Sequence, residues 1–255
     1  MLLALTRPVS PTIVDCQLTH LARQPIDFLR AAAEHAEYER QLAGLGASVR
    51  RLPAAPALPD AVFVEDTAVV VDDLAVVTRP GAESRRPETA TVAAQLAEHR
   101  RVVSIEPPGT LDGGDVLVVE REVYVGRSTR TNDSGIEQLR RALEPHGFRI
   151  TTIPVTRCLH LKSAVTRVAE RTLLLSPDWI APDAFPGYSQ LTVDPAEPAA
   201  ANALAIGGSI LHSSQHGRTR ARLEAAGLSV IPVPMTELTK AEAGMTCCSI
   251  IFEVS

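Results

Sequence analysis

Four times along this chain, two short runs of aliphatic and β-branched residues face each other across one or a few residues, mostly polar or glycine. Residues 67–71 and 74–78 flank Asp72-Asp73, and residues 116–120 and 122–126 flank Arg121. The form returns at 164–168 with 172–175, and at 203–206 with 209–212. Such runs joined by tight turns read as β-hairpins. Three of them continue into a helical stretch and a further strand: 88–99 into 102–105, 134–143 into 149–155, and 218–226 into 228–233. The third unit is irregular, because residues 178–188 are rich in Pro and Gly.

The chain also begins and ends on strand-like runs, 2–5 and 248–252, with a long helical stretch over 21–45 leading into a strand at 48–52. If the two termini pair, they complete a fifth ββαβ-like unit. Units that bury a face only against their neighbours imply a ring. The expectation is an α/β ring with pseudo-fivefold symmetry, closed by pairing of the N- and C-terminal strands and forming one domain over residues 1–255. The competing reading is a mixed α/β domain without symmetry. In a ring, the inner strand ends surround one cavity, so motifs far apart in sequence can converge.

Composition removes several function classes. A hydrophobic content of 45% with 22% charged residues fits a soluble globular chain. A net charge of −5 and the lack of a basic stripe argue against a nucleic-acid partner. No run approaches the roughly 20 apolar residues of a membrane span. The apolar start Met1-Leu2-Leu3-Ala4-Leu5 has no basic region before it and ends at Thr6-Arg7-Pro8, which favours a cytoplasmic protein over a secreted one. Four cysteines without CxxC spacing make neither a disulfide framework nor a structural zinc site.

Four strings carry chemistry: Phe63-Val64-Glu65-Asp66-Thr67, Leu111-Asp112-Gly113-Gly114-Asp115, His160-Leu161-Lys162-Ser163 and Thr246-Cys247-Cys248-Ser249. Cys247 reads as a nucleophile at the start of a strand or as a buried structural cysteine. Strand alternation turns Cys248 to the opposite face. His160 stands at an element boundary, where a general acid–base belongs, or is a satisfied core histidine. Asp112 orients that imidazole or simply opens a Gly-Gly turn. Asp60, Glu65 and Asp66 flank an apolar run; facing a cavity they would predict a planar cationic ligand, whereas in a solvated loop they predict nothing. Arg85 and Arg130 follow consecutive hairpins at similar places, which suits a carboxylate clamp. Acids at one end of a pocket and arginines at the other describe a guanidine-bearing amino acid.

With Thr78-Arg79-Pro80-Gly81-Ala82, Ser84-Arg85-Arg86, Val125-Gly126 and Arg130-Thr131-Asn132 added to those strings, the chain resembles the dimethylarginine dimethylaminohydrolases nearly end to end. These belong to the guanidine-modifying pentein superfamily, and the resemblance implies a five-bladed α/β propeller. It further implies Cys247 as nucleophile, His160 as general acid–base and Asp112 as its orienting acid. Asp60, Glu65 and Asp66 are implied to hold the guanidinium, and Arg85 and Arg130 the α-carboxylate. The backbone carbonyls of Leu18 and Ala241 are implied to hold the α-amino group. The implied reaction hydrolyses Nω-methylated L-arginine to L-citrulline and methylamine or dimethylamine, through a covalent S-alkylthiouronium. No cofactor is implied, although zinc at Cys247 and His160 would inhibit. The partner is a small molecule, with neither nucleic acid nor membrane, and a homodimer is left open. One departure stands out: Ala241-Glu242-Ala243-Gly244 replaces a commoner Val/Ile-Asp-Gly pattern at the rim. The rival readings are hydrolysis of another guanidine such as arginine or agmatine, a non-catalytic binder on the same ring, and a Cys247-Cys248 redox sensor.

Overall fold

The computed structural model describes residues 1–254. Its strands form five separate three-stranded sheets, ordered β15-β1-β2, β3-β4-β5, β6-β7-β8, β9-β10-β11 and β12-β13-β14. In chain order the strands are β1 (Leu2–Thr6), β2 (Ala47–Arg51), β3 (Ala68–Val71), β4 (Leu74–Val77), β5 (Arg101–Ser104), β6 (Val116–Val119), β7 (Glu122–Arg127) and β8 (Arg149–Pro154). They continue with β9 (Val165–Ala169), β10 (Thr172–Leu175), β11 (Ser189–Thr192), β12 (Leu204–Ile206), β13 (Ser209–Ser213), β14 (Val230–Val233) and β15 (Ile250–Glu253).

All five sheets share one topology. The first two strands pair antiparallel, and the third returns parallel to the middle one. Four of the antiparallel pairs are hairpins closed by two residues. Asp72 and Glu120 take positive φ in their turns, as do both Gly207 and Gly208, the conformation that matches the twist of a hairpin. The parallel return is made by α2 (Thr89–Leu96), α3 (Asp133–Leu143) and α5 (Gly217–Ala225) in three units, and by a Pro-rich loop in the third. The remaining unit joins both ends of the chain. β15 pairs with β1 from Leu2↔Glu253 to Leu5↔Ile250, and α1 (Phe28–Gly44) carries β1 over to β2.

α1 starts seven residues later than the expected 21, because Pro25 lacks the N–H of a helix interior and Asp27 caps the helix by accepting from Arg30 N. The 88–99 helix shrinks to Thr89–Leu96, following a short 3-10 turn that contains Pro87. The strand expected from Cys248 starts at Ile250, so both adjacent cysteines lie in the turn ahead of it.

The first strand of every sheet lines a common channel of about 230 Å³: Ile250 of β15, Val69 of β3, Leu117 of β6, Thr166 of β9 and Leu204 of β12. The helices cover the outside. On α3, Ile136, Leu139 and Leu143 form one buried stripe against Val123, Val125 and Ile150. Asn132 caps that helix by accepting from Gly135 N at 2.8 Å. Residue 135 must be glycine, since a Cβ there would meet Thr110 O at 2.0 Å. Leu139 is fully buried in this layer. We expect Leu139→Ala to lower unfolding free energy by about 2–5 kcal/mol in a urea titration; a change under ~1 kcal/mol would mean that α3 does not pack on the sheet as described.

Candidate active site

The segment that leads into each inner strand arrives at the same end of the channel. Asp66 stands two residues before β3, Asp112 four before β6, His160 five before β9, Asn202 two before β12 and Cys247 three before β15. Gln17, Asp60, Asp66, Arg85, Arg130, Leu159, His160, Ala241, Glu242 and Cys247 line one small cavity there.

His160 precedes α4 (Leu161–Ala164) and is buried. Its Nε2 lies 3.0 Å from Asp112 Oδ2, while its Nδ1 is 3.7 Å from Asp66 Oδ1 and has no hydrogen-bond partner among the described residues. Asp112 is itself fixed: its Oδ1 accepts Gly81 N–H at 2.8 Å, and its own N–H reaches Thr131 Oγ1 at 3.1 Å. Asp66 accepts Gly114 N–H at 2.9 Å and the Arg85 guanidinium at 2.5 Å. A Cβ on Gly114 would stand 2.5 Å from His160 Nδ1, so glycine permits this approach of backbone to ring.

Charge settles around the ring. Burial opposes an imidazolium, but Asp66, the hydrogen-bonded Asp112 and Asp115 outweigh it and raise His160 to about 9. Burial likewise opposes ionised Asp66, yet His160 and Arg85 hold it down to about 2. Cys247 responds the other way. Burial and then the negative charges of Glu65 and Asp66 push its thiol up to about 12. Its Sγ accepts Gly244 N–H at 3.3 Å, and no hydrogen bond joins it to His160 among the described residues. The thiol and the imidazole thus line the same cavity without a hydrogen bond between them.

The expected residues divide. Asp60 lines the cavity, buried, and accepts Gln17 N–H at 3.1 and 3.2 Å. Ala241 lines it as well, whereas Leu18 packs beside it on the adjoining apolar cluster. Glu65 turns away. Its carboxylate meets Lys162 and accepts from Thr246 Oγ1 at 2.7 Å, and these three residues line the central channel. Neighbours on one 3-10 turn, Glu65 and Asp66 therefore serve opposite sides of a wall. Arg85 is buried and already paired, with Asp66 and with Glu88 at 2.9 Å, and it donates to Phe63 O at 3.0 Å. As placed, it fixes Asp66 rather than offering an open fork. Arg130 is the freer arginine, with a single side-chain bond to Thr19 Oγ1 at 3.0 Å.

Three further residues complete the site. Asp115 accepts Leu161 N–H at 2.9 Å and Ser128 Oγ–H at 2.6 Å, tying the His160 and Arg130 segments together. Asn202 accepts Thr246 N–H at 2.9 Å and donates to Thr246 Oγ1 and Lys162 O, bracing the Cys247 turn. It belongs to no motif, and its place ahead of β12 in the repeat is the sequence signal for it. Glu242, at the altered rim, is the third. A metal would find Asp66, Asp112 and His160 with donor atoms within 4.8 Å of one another; Cys247 is not a member of that group.

Residues 21–185 match a family described as N,N dimethylarginine dimethylhydrolase, eukaryotic. A dimethylarginine dimethylaminohydrolase of Streptomyces coelicolor is 38% identical over 97% of this chain and 95% of its own. The chain belongs to the dimethylarginine dimethylaminohydrolase family. Among solved structures, the family member from Pseudomonas aeruginosa, a cysteine-to-serine mutant complexed with citrulline, superposes with a TM-score of 0.93 at 30% identity, covering 98% of each chain. The N-terminal domain of ArgZ, a cyanobacterial arginine dihydrolase, shares the fold at a TM-score of 0.89 and 18% identity. The five-bladed α/β propeller of the family is thus the architecture seen here.

The His160 shift has a sign that can be checked. Its folded value of about 9 lies above the ordinary 6.5, so its contribution to stability is complete below pH 6.5 and is lost as pH climbs through 9. We expect NMR titration of the imidazole to show a midpoint near 9, and Asp66→Asn to bring it down. A midpoint at or below 6.5 in the unsubstituted protein would contradict the described charge balance.

Proposed function

We propose that this protein hydrolyses Nω-methylated L-arginine to L-citrulline and methylamine or dimethylamine. The observation that carries the reading is that Cys247 and His160 line one cavity with Asp60 and Asp66, unbonded to each other, with Arg130 on the same wall system. The relative that superposes best among those named above is complexed with citrulline, which supports the same product here.

In the resting site the thiol is protonated, because its surroundings push it up to about 12. A guanidinium keeps its charge at neutral pH and brings that charge next to the sulfur, favouring the thiolate, whose proton leaves to solvent as the cation binds. In this reading Asp60 and Asp66, which line the cavity, accept its N–H groups, and Arg130 takes the α-carboxylate. The sulfur adds to the guanidinium carbon, forming an S–C bond. His160, an imidazolium at neutral pH, gives its proton to the departing amine as the C–N bond breaks. Its Nδ1 is the ring nitrogen free to make that transfer, while Asp112 holds Nε2. An S-alkylthiouronium remains. Water then adds to the same carbon, giving a proton to the neutral His160, and the C–S bond breaks to release citrulline and restore the thiol.

Zinc, where present in excess, inhibits in this reading by taking His160 with its neighbouring carboxylates. Agmatine is a poor substrate, since it has no carboxylate for Arg130.

We expect Cys247→Ser to lower citrulline release from asymmetric dimethylarginine by more than about 10³-fold. Cys248 is fully buried among the apolar residues of the core around Tyr38. We expect Cys248→Ser to keep kcat within about tenfold, with its cost appearing in Tm instead. Loss of turnover in Cys248→Ser with turnover kept in Cys247→Ser would overturn the assignment. Faster release from agmatine than from dimethylarginine would overturn the substrate.

A further inference from the structure

Glu242 sits at φ 59°, in the left-handed region that a residue with a Cβ seldom occupies. Its carboxylate accepts three consecutive backbone N–H groups from the far end of the chain: Thr19 at 3.0 and 3.1 Å, His20 at 2.5 Å and Leu21 at 2.6 Å. An ionised carboxylate has acceptor sites for all three. Thr19 to Pro25 are exposed throughout, so no buried side chain anchors this segment and polar contacts must hold it. The second tie is the Arg130 bond to Thr19 Oγ1.

Arg130 and Glu242 both line the cavity of Cys247 and His160, so the 19–21 loop is fastened to two of its walls. The open space beneath is about 20 Å³, room for roughly one water and far too little for an amino acid. Glu242 also borders a larger cleft of about 500 Å³, together with His20, Leu21 and Lys240, so the fastening is reached from the outer side. Release of the loop is therefore needed for any ligand to reach the sulfur by this route.

We propose that the Glu242 carboxylate is the latch of the 19–21 loop, opened each time a guanidine-bearing amino acid enters or its product leaves. Only the identity of the ligand rests on the proposed function; the latch rests on the contacts. Glu242→Gln keeps the size of the side chain but removes its charge and leaves one acceptor oxygen in place of two, with an N–H₂ where Thr19 N–H meets the second. Glu242→Gly deletes the latch while relieving the left-handed backbone.

The experiment is hydrogen–deuterium exchange on the full chain, with Cys247 alkylation by iodoacetamide and steady-state kinetics alongside. We expect amides 19–21 to exchange at least about tenfold faster in both variants, and Cys247 to be alkylated faster. KM for dimethylarginine should rise more than kcat falls. Exchange and alkylation at the unsubstituted rates in both variants would overturn the latch. So would acceleration across the whole chain, which would make Glu242 a prop of the fold, and a fall in kcat with unchanged exchange, which would place it in the chemistry. If the loop opens as expected but the unsubstituted protein releases no citrulline, the latch stands and the proposed function falls.

Discussion

Each sheet leaves one edge of its first strand without a partner inside the sheet, and the structure turns all five of those edges toward one channel. Exposed edges are a liability in solution, and a ring removes them from it. The arrangement has a chemical consequence. Whatever residue precedes an inner strand is delivered to the channel end, so five segments spread over nearly 200 residues meet within one site. The loops that carry Asp66, Asp112, His160, Asn202 and Cys247 need no long excursions to find each other. Each is short and begins a strand, and its direction is set by the strand that follows.

Convergence brings charges together, and burying them is costly unless they are paired. The site meets this by alternation. Glu88, Arg85, Asp66 and His160 form a chain of opposite signs, with Asp112 beyond the imidazole. On the far side of the wall, Glu65 is neutralised separately by Lys162. The two acids of one turn thus belong to two electrostatic systems. One lines the central channel; the other sets the state of His160.

The hairpins and the pairing of the termini were legible because turn chemistry and strand period are local. Asp72-Asp73 and Gly207-Gly208 announce their turns whatever surrounds them. The start of α1 was missed although its signals are local too: Pro25 interrupts the stretch expected from 21, and Asp27 caps the helix that begins at Phe28. The motifs named the participants Cys247, His160, Asp112, Asp60 and Asp66, but not how each is turned. Glu65 and Asp66 are equivalent in sequence and opposite in space. Arg85 reads as a clamp until the 3-10 turn at Glu83–Glu88 brings Glu88 against it. Cys247 and Cys248 read as neighbours on a strand, but the strand begins two residues later, and it is the Gly244 turn that aims the first sulfur at the cavity. Asn202 shows the reverse case, in which the repeat predicts a position that no motif marks.

A thiol pushed up to about 12 is a poor nucleophile toward ordinary electrophiles, and this is a useful property in a site that must otherwise stay inert. The negative charges of Glu65 and Asp66 that keep the proton on sulfur are not simply obstacles. A cation lowered between Cys247 and His160 offsets them, so the ligand that those carboxylates attract is also the one that frees the sulfur. Recognition and activation then draw on a single electrostatic balance. A neutral ureido group, such as that of citrulline, supplies no such charge, so in the proposed reaction the thiol recovers its proton once the product has formed. In the proposed reaction, discrimination between a guanidinium and a ureido group then rests on the negative charges of Glu65 and Asp66 that act on the sulfur.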